Sequence, residues 1–236
     1  MTVTGSHTVR APRSRIISSM IRRLVLATLA TGALLAVAAP AASAATTQVT
    51  PASSSNLVKA LQRKLIRLKY LAPGLATGNY GNRTIQAVMA FQGWVGLPRD
   101  GVAGTATYQA LKHAQIPVSW GHKHKHMEVH KARQVLLLIG KLGHVKRAIH
   151  VSTAGPGHFT PDGIFHIYRK EIMSWSTLFD VWLPYADYFT GGFAFHEYPD
   201  VPGVPASHGC IRIADGDAQV VWKFATLGTR VAIRDS

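Results

Sequence analysis

The sequence predicts an α+β protein: a small three-helix domain followed by a mostly β domain that carries one late helix. Three observations support this. Leucines recur at helical spacing near residue 60, apolar β-branched runs dominate after residue 127, and Gly- and Pro-rich breaks separate the two textures. The 236 residues are 47% hydrophobic, a globular composition rather than a disordered one. That length allows one large domain, or two small ones each burying its own core.

Residues 1–44 read as a secretory signal peptide. They hold Arg10, Arg13, Arg15, Arg22 and Arg23 with no acidic residue, then an apolar run from Leu24 to Ala39, then small residues ending "AASA". The 16-residue run is short for a bilayer-spanning helix, which needs about 20. The expected location is therefore outside the cytoplasm, in the periplasm or cell wall. Net charge is +15, and removing the leader takes five arginines with it. An exported basic protein is matched to anionic envelope polymers, and nucleic acid is not an expected partner.

Residues 45–55, "ATTQVTPASSS", have linker composition. A helical domain is then expected over 56–117. Leu57, Leu61, Leu65 and Leu68 form one apolar helix face. A second helix is read from Arg83 to about Gln92, with Ile85, Val88 and Met89 on one side. A third starts at Thr105, a good N-cap type. Residues 118–126 read as a basic His/Lys linker. His122, His124, His126 and His130 invite a metal, but interleaved lysines oppose a cation and a solvated linker is the expectation.

The β domain is expected over 127–236. "QVLLLIGKLGHVKRAIHVST" reads as two strands around a turn. "TPDGIFHIYRK" opens on a turn and alternates, with Ile164, His166 and Tyr168 on one face and Phe165 and Ile167 on the other. The aromatic stretch "MSWSTLFDVWLPYADYF" is read as core, with a lid over a pocket as the alternative. "GGFAFH" is a short strand, and "DGDAQVVWKFATLG" a helix with Ala218, Val221, Trp222 and Ala225 inward. "TRVAI" is the closing strand.

Cys210 is the only cysteine in the chain, so it staples nothing within it. It stands in "ASHGCIR", with His208 two residues before and Arg212 two after. In an extended segment all three side chains share a face. Gly209 removes a side chain where a substrate backbone must approach, and the N–H groups of Gly209 and Cys210 are candidate oxyanion donors. A thiol becomes nucleophilic when an imidazole takes its proton, and neighbours on one strand align poorly for that transfer. His196, at the end of "GGFAFH", is the best base from elsewhere in the chain.

Two resemblances follow. "GNYGNRTIQAVMAFQGWVGLPRDGVAGTATYQAL" resembles the peptidoglycan-binding-like repeat over residues 56–113, through Gly81, Thr84, Phe91, Gln92, Asp100, Gly101 and Thr107 among others. It implies wall binding, although most of those positions serve packing and turns. "TPDG", "GGFAFHE", "SHGCIR" and the final helix resemble the L,D-transpeptidase (YkuD) catalytic domain, a β-sandwich with a helix. The resemblance implies Cys210 as nucleophile and His196 as proton donor and acceptor. It places Ser207, His208 and Gly209 in support of the site and the oxyanion, and Arg212, Gly191 and Gly192 at the substrate. It implies peptidoglycan as partner, no metal or organic cofactor, and no particular oligomeric state. Glu197, where Gly or Ser is commoner, and the ten-residue loop before Ser207 depart from the pattern. Cross-linking of stem peptides is the leading expectation. An L,D-carboxypeptidase or other cysteine hydrolase, and a non-catalytic wall-anchoring protein, are the alternatives.

Overall fold

The computed structural model describes residues 48–50 and 52–236, so the signal-peptide reading lies outside the described residues. Among the described residues no helix is long and apolar enough to cross a membrane. Three helices come first: α1 (Ser55–Arg67), α2 (Asn82–Trp94) and α3 (Thr105–His113). On α1 the buried face is Val58, Leu61 and Leu65, continued by Leu68, while Leu57 is 51% exposed. The spacing 58–61–65–68 is as helical as the leucine series, and Val58 wins because its side meets the core. Gln62 is buried with them and is satisfied by giving its amide to Asn79 O (2.8 Å) and Thr84 Oγ1 (2.9 Å). On α2 it is Ala87, Val88, Ala90 and Phe91 that turn inward, whereas Ile85 and Met89 are half-buried. Thr105 is the first helical residue rather than the cap, which is Gly104. The linker reading of 45–55 also needs correction at Val49, which is fully buried and donates its N–H to Ala103 O at 2.9 Å.

Nine strands and a fourth helix follow: β1 (His126–His130), β2 (Val135–Ile139), β3 (Val145–Ser152), β4 (Gly163–His166), β5 (Arg169–Ser176), β6 (Val181–Thr190), β7 (Phe193–Glu197), β8 (Ile211–Ile213), α4 (Asp217–Phe224) and β9 (Arg230–Arg234). They form one sheet in the order β4-β9-β1-β2-β3-β8-β7-β6-β5. The two edge strands, β4 and β5, are consecutive in the chain. Their junction is stitched to both ends of the sheet, Ile167 N–H to Thr229 O and Tyr168 N–H to Tyr188 O. The sheet is therefore curled until its edges meet, which removes much of the open-edge liability.

The period of two in "VLLLI" then decides the layering. Leu136 and Leu138 point into the curled β core with Phe189, Phe195 and Ile233. Val135, Leu137 and Ile139 point outward and pack in the same cluster as Leu61, Leu65, Val88 and Phe91. The helical region thus shares a hydrophobic core with the back of the sheet instead of closing a separate one. The solvated-linker reading fails at its end: His126 and His130 lie buried in β1, with His126 Nε2 2.7 Å from the buried Glu128 carboxylate, which also takes bonds from Ser119 and Trp120.

A buried ion cluster ties three segments. Asp217, at the start of α4, lies 2.5 Å from Arg147 of β3 and 3.6 Å from Arg83 of α2. Removing only the acid strands a buried guanidinium in low dielectric. Asp217→Ala is expected to lower unfolding free energy by about 3–5 kcal/mol, measured by urea denaturation.

Candidate active site

Strands β7 and β8 are parallel neighbours, with His196 opposite Arg212 and Phe195 opposite Ile211. Cys210 immediately precedes β8, so its side chain and that of His196 open into one cavity of about 540 Å³. Arg212, Tyr188, Trp175 and Phe179 also line it.

Residues 208–210 form a bend, not a strand, so the expected alternation of His208, Cys210 and Arg212 on an extended face does not hold. Gly209 has φ +142°, a conformation that side chains rarely adopt, and a Cβ there would lie 2.5 Å from the Phe193 ring. Glycine is required here by its own backbone and by Phe193, and it also lines the cavity. Gly209→Ala is expected to slow Cys210 chemistry while lowering the thermal midpoint, with strain of about 1–3 kcal/mol; turnover and differential scanning fluorimetry read the two effects.

The bend is held from within. Ser207, buried, donates its hydroxyl to Cys210 O (2.5 Å) and accepts the Gly209 N–H (3.0 Å). Of the two N–H groups expected at the oxyanion, Gly209's is therefore already spent on Ser207, leaving that of Cys210. Ser207 is a brace for the cysteine. A second support was invisible in the motif itself: Thr160, first residue of the Thr-Pro-Asp-Gly turn, gives its hydroxyl to Gly209 O at 2.7 Å.

His196 Nδ1 lies 2.8 Å from Glu197 O, and a carbonyl can only accept, so the proton sits on Nδ1 and Nε2 keeps its lone pair. The Glu197 main chain supplies this bond whatever its side chain. Burial pushes the imidazole down to about 4, helped by the Arg212 guanidinium. Burial against Leu183, Ala186, Tyr188 and Ala194 pushes the Cys210 thiol up. Both shifts favour a neutral thiol and neutral imidazole at rest. The thiol is directed to Gly192 O at 3.7 Å rather than to the imidazole. Gly192 thus stands at the sulfur, while Gly191 sits outside the cavity lining, with its carbonyl taken by the Tyr168 hydroxyl.

Arg212 lies over the Tyr198 ring, 4.0 Å from its centroid, and reaches the cavity. His208 is exposed and stacks on Phe179 at 4.6 Å with its other side edge-on to His158. It bridges the cysteine bend to the tip of the β5–β6 hairpin. The core reading of the aromatic stretch holds for Leu183, Ala186, Tyr188 and Phe189 and fails at the hairpin tip, where Leu178 is 80% exposed and Trp175, Phe179 and Trp182 are also exposed. Trp175, Leu178 and Phe179 wall the cavity in the manner of a lid. Arg169, also lining the cavity and lying over Tyr188, was not anticipated; no local pattern marks it.

A thiol and a neutral imidazole that open into one cleft, together with the Cys210 N–H and two guanidinium groups, are equipped for acyl transfer through sulfur. Comparisons with known proteins agree with that class. Residues 54–111 match the peptidoglycan binding domain family, and residues 124–233 match the L,D-transpeptidase catalytic domain. The crystal structure of an L,D-transpeptidase from Xylanimonas cellulosilytica is similar at 35% identity and TM-score 0.72, over 77% of this chain and 95% of that one. An L,D-transpeptidase from Stackebrandtia nassauensis is similar at 25% identity and TM-score 0.51, over 79% and 94%. The chain belongs to the L,D-transpeptidase family, and peptidoglycan is its substrate or partner. Part of the chain is also 42% identical over 66 residues to an N-acetylmuramoyl-L-alanine amidase of Bacillus licheniformis, covering 28% of this chain and 18% of that protein.

Proposed function

We propose that the protein is exported through its N-terminal leader and cross-links peptidoglycan stem peptides in the periplasm or cell wall. Cys210 is the nucleophile and His196 the proton carrier. The observation that carries this reading is the opening of both side chains into one cavity, His196 from β7 and Cys210 from the bend that leads into its parallel neighbour β8. His196 Nε2 takes the thiol proton as Sγ attacks the carbonyl of the third stem residue, a diamino acid. The new C–S bond forms as the C–N bond to the terminal D-alanine breaks, and the proton passes to the leaving amine. An acceptor amine then loses its proton to Nε2 and attacks the thioester, restoring the thiol. Among the described residues the cavity presents Arg169 and Arg212 and no lining carboxylate, which suits a peptide donor bearing carboxylates.

The test is incubation of the leaderless protein with disaccharide-tetrapeptides, followed by mass spectrometry. Dimers together with free D-alanine, absent with Cys210→Ala, are the expected result. Trimmed monomers without dimers mean a carboxypeptidase, and unchanged substrate with intact sacculus binding means a wall-anchoring protein.

A further inference from the structure

The loop that delivers the cysteine, Tyr198 to Ala206, contains Pro199, Pro202 and Pro205, which have no N–H to offer a ladder. Its carbonyls must find donors elsewhere, and four in a row do so by the same device. Val201 O accepts from Gln86 Nε2 (3.2 Å), Pro202 O lies 2.9 Å from His150 Nε2, Gly203 O accepts from Arg99 Nε (2.6 Å), and Val204 O accepts from Ser152 Oγ (2.8 Å). The donors alternate between the helical region (Gln86, Arg99) and strand β3 (His150, Ser152). Gly203 fits because it has no side chain: a Cβ would sit 1.9 Å from Arg99 O. Two residues after Val204 the chain becomes rigid, as the N–H groups of Ala206 and Ser207 both reach Thr153 O, and Ser207 grips the bend at Cys210.

We infer that Gln86 and Arg99, which belong to the peptidoglycan-binding-like region, are positioning residues for Cys210: they complete the clamp on the loop that sets the height of the sulfur in the cavity. The ten-residue loop between His196 and Ser207 is thus held by side chains from outside it. It also means that the catalytic half alone lacks two of the four donors. Neither residue touches the cavity, so the effect is transmitted through the loop backbone.

The test compares the full leaderless chain with Arg99→Ala, Arg99→Lys, Gln86→Ala and Gly203→Ala in two assays. The first, which rests on the proposed acyl transfer, measures kcat and KM. The expected result is a fall in kcat of about 10- to 100-fold for Arg99→Ala and Gly203→Ala, with KM within about twofold, because misplacing a reacting group costs rate rather than binding. Arg99→Lys, which keeps a cationic donor, recovers most of the loss. The second assay needs no wall substrate: the pH dependence of Cys210 alkylation by iodoacetamide. Loosening the loop hydrates the thiol, so its alkaline inflection moves to lower pH in Arg99→Ala and Gln86→Ala. If Arg99→Ala does not fold, Gln86→Ala and Arg99→Lys decide. Parent-like kcat and a parent-like alkylation profile in folded variants overturn the inference, as does a lowered melting temperature with both readouts unmoved. Absence of turnover in the parent together with a shifted alkylation profile in the variants refutes the proposed reaction and retains the clamp.

Discussion

Cys210→Ala is expected to abolish acyl transfer, by at least about 10⁴-fold, while leaving the fold intact. No second thiol exists in the chain to substitute for it, and the hydroxyls around it are already committed: Ser207 to Cys210 O and Thr160 to Gly209 O. The side chain removed is small and packs against Ala194 and Leu183, so the void is modest and the thermal midpoint should hold within a few degrees. Intact-protein mass after exposure to a carbapenem, a strained acyl donor, checks the chemistry: the parent gains one adduct and the variant none. A variant that retained turnover would remove sulfur from the mechanism.

His196→Ala is the second large effect, a fall in kcat of about 10²–10⁴-fold, the usual value of a positioned general base. The resting pair makes this dependence strong. Because burial holds the imidazole at about 4 and the thiol above its ordinary range, little thiolate pre-exists, and the proton must move during attack. The sign of the pH profile follows. Catalysis needs the unprotonated imidazole, so kcat/KM in the parent should persist at pH 5 and fall only as pH drops toward about 4, where an ordinary histidine would already be lost near 6.5. In His196→Ala that acid limb disappears, and residual rate follows thiolate alone, rising toward alkaline pH. An acid limb near 6.5 in the parent would contradict the buried neutral imidazole.

The candidate site residues were legible because they are written locally. Four consecutive residues, Ser207 to Cys210, announce a thiol site, and His196 is findable as the histidine ending the strand before a Pro-rich loop. The alternation Ile164–Phe165–His166–Ile167 correctly separated exposed from inward positions. Where a pattern had two equal solutions, the sequence misled. Leu57 and Val58 both continue the α1 stripe, and only the packing of α1 on α2 within the shared core decided for Val58. The hairpin aromatics read as core because apolar content normally means burial, yet they wall a cleft that needs apolar surface in contact with solvent. Glu128 lay in plain view between His126 and His130, but its role as a buried acceptor for His126, with His130 Nε2 3.8 Å from its other oxygen, required strand β1 to be covered on both faces.

Taken alone, the sequence determined the α+β class, the three leading helices and the late one, the lone thiol and its candidate base, because residue type, periodicity and turn chemistry act over a few neighbours. Tertiary structure alone decided that the helical region and the sheet share a core, and that residues 52 to 115 positions away hold the carbonyls of the cysteine loop. It also decided the burial that pushes the thiol up and the imidazole down, favouring their neutral forms. Those outcomes depend on burial and on long-range contacts, which arise from the summed packing of the chain and leave no local mark in it.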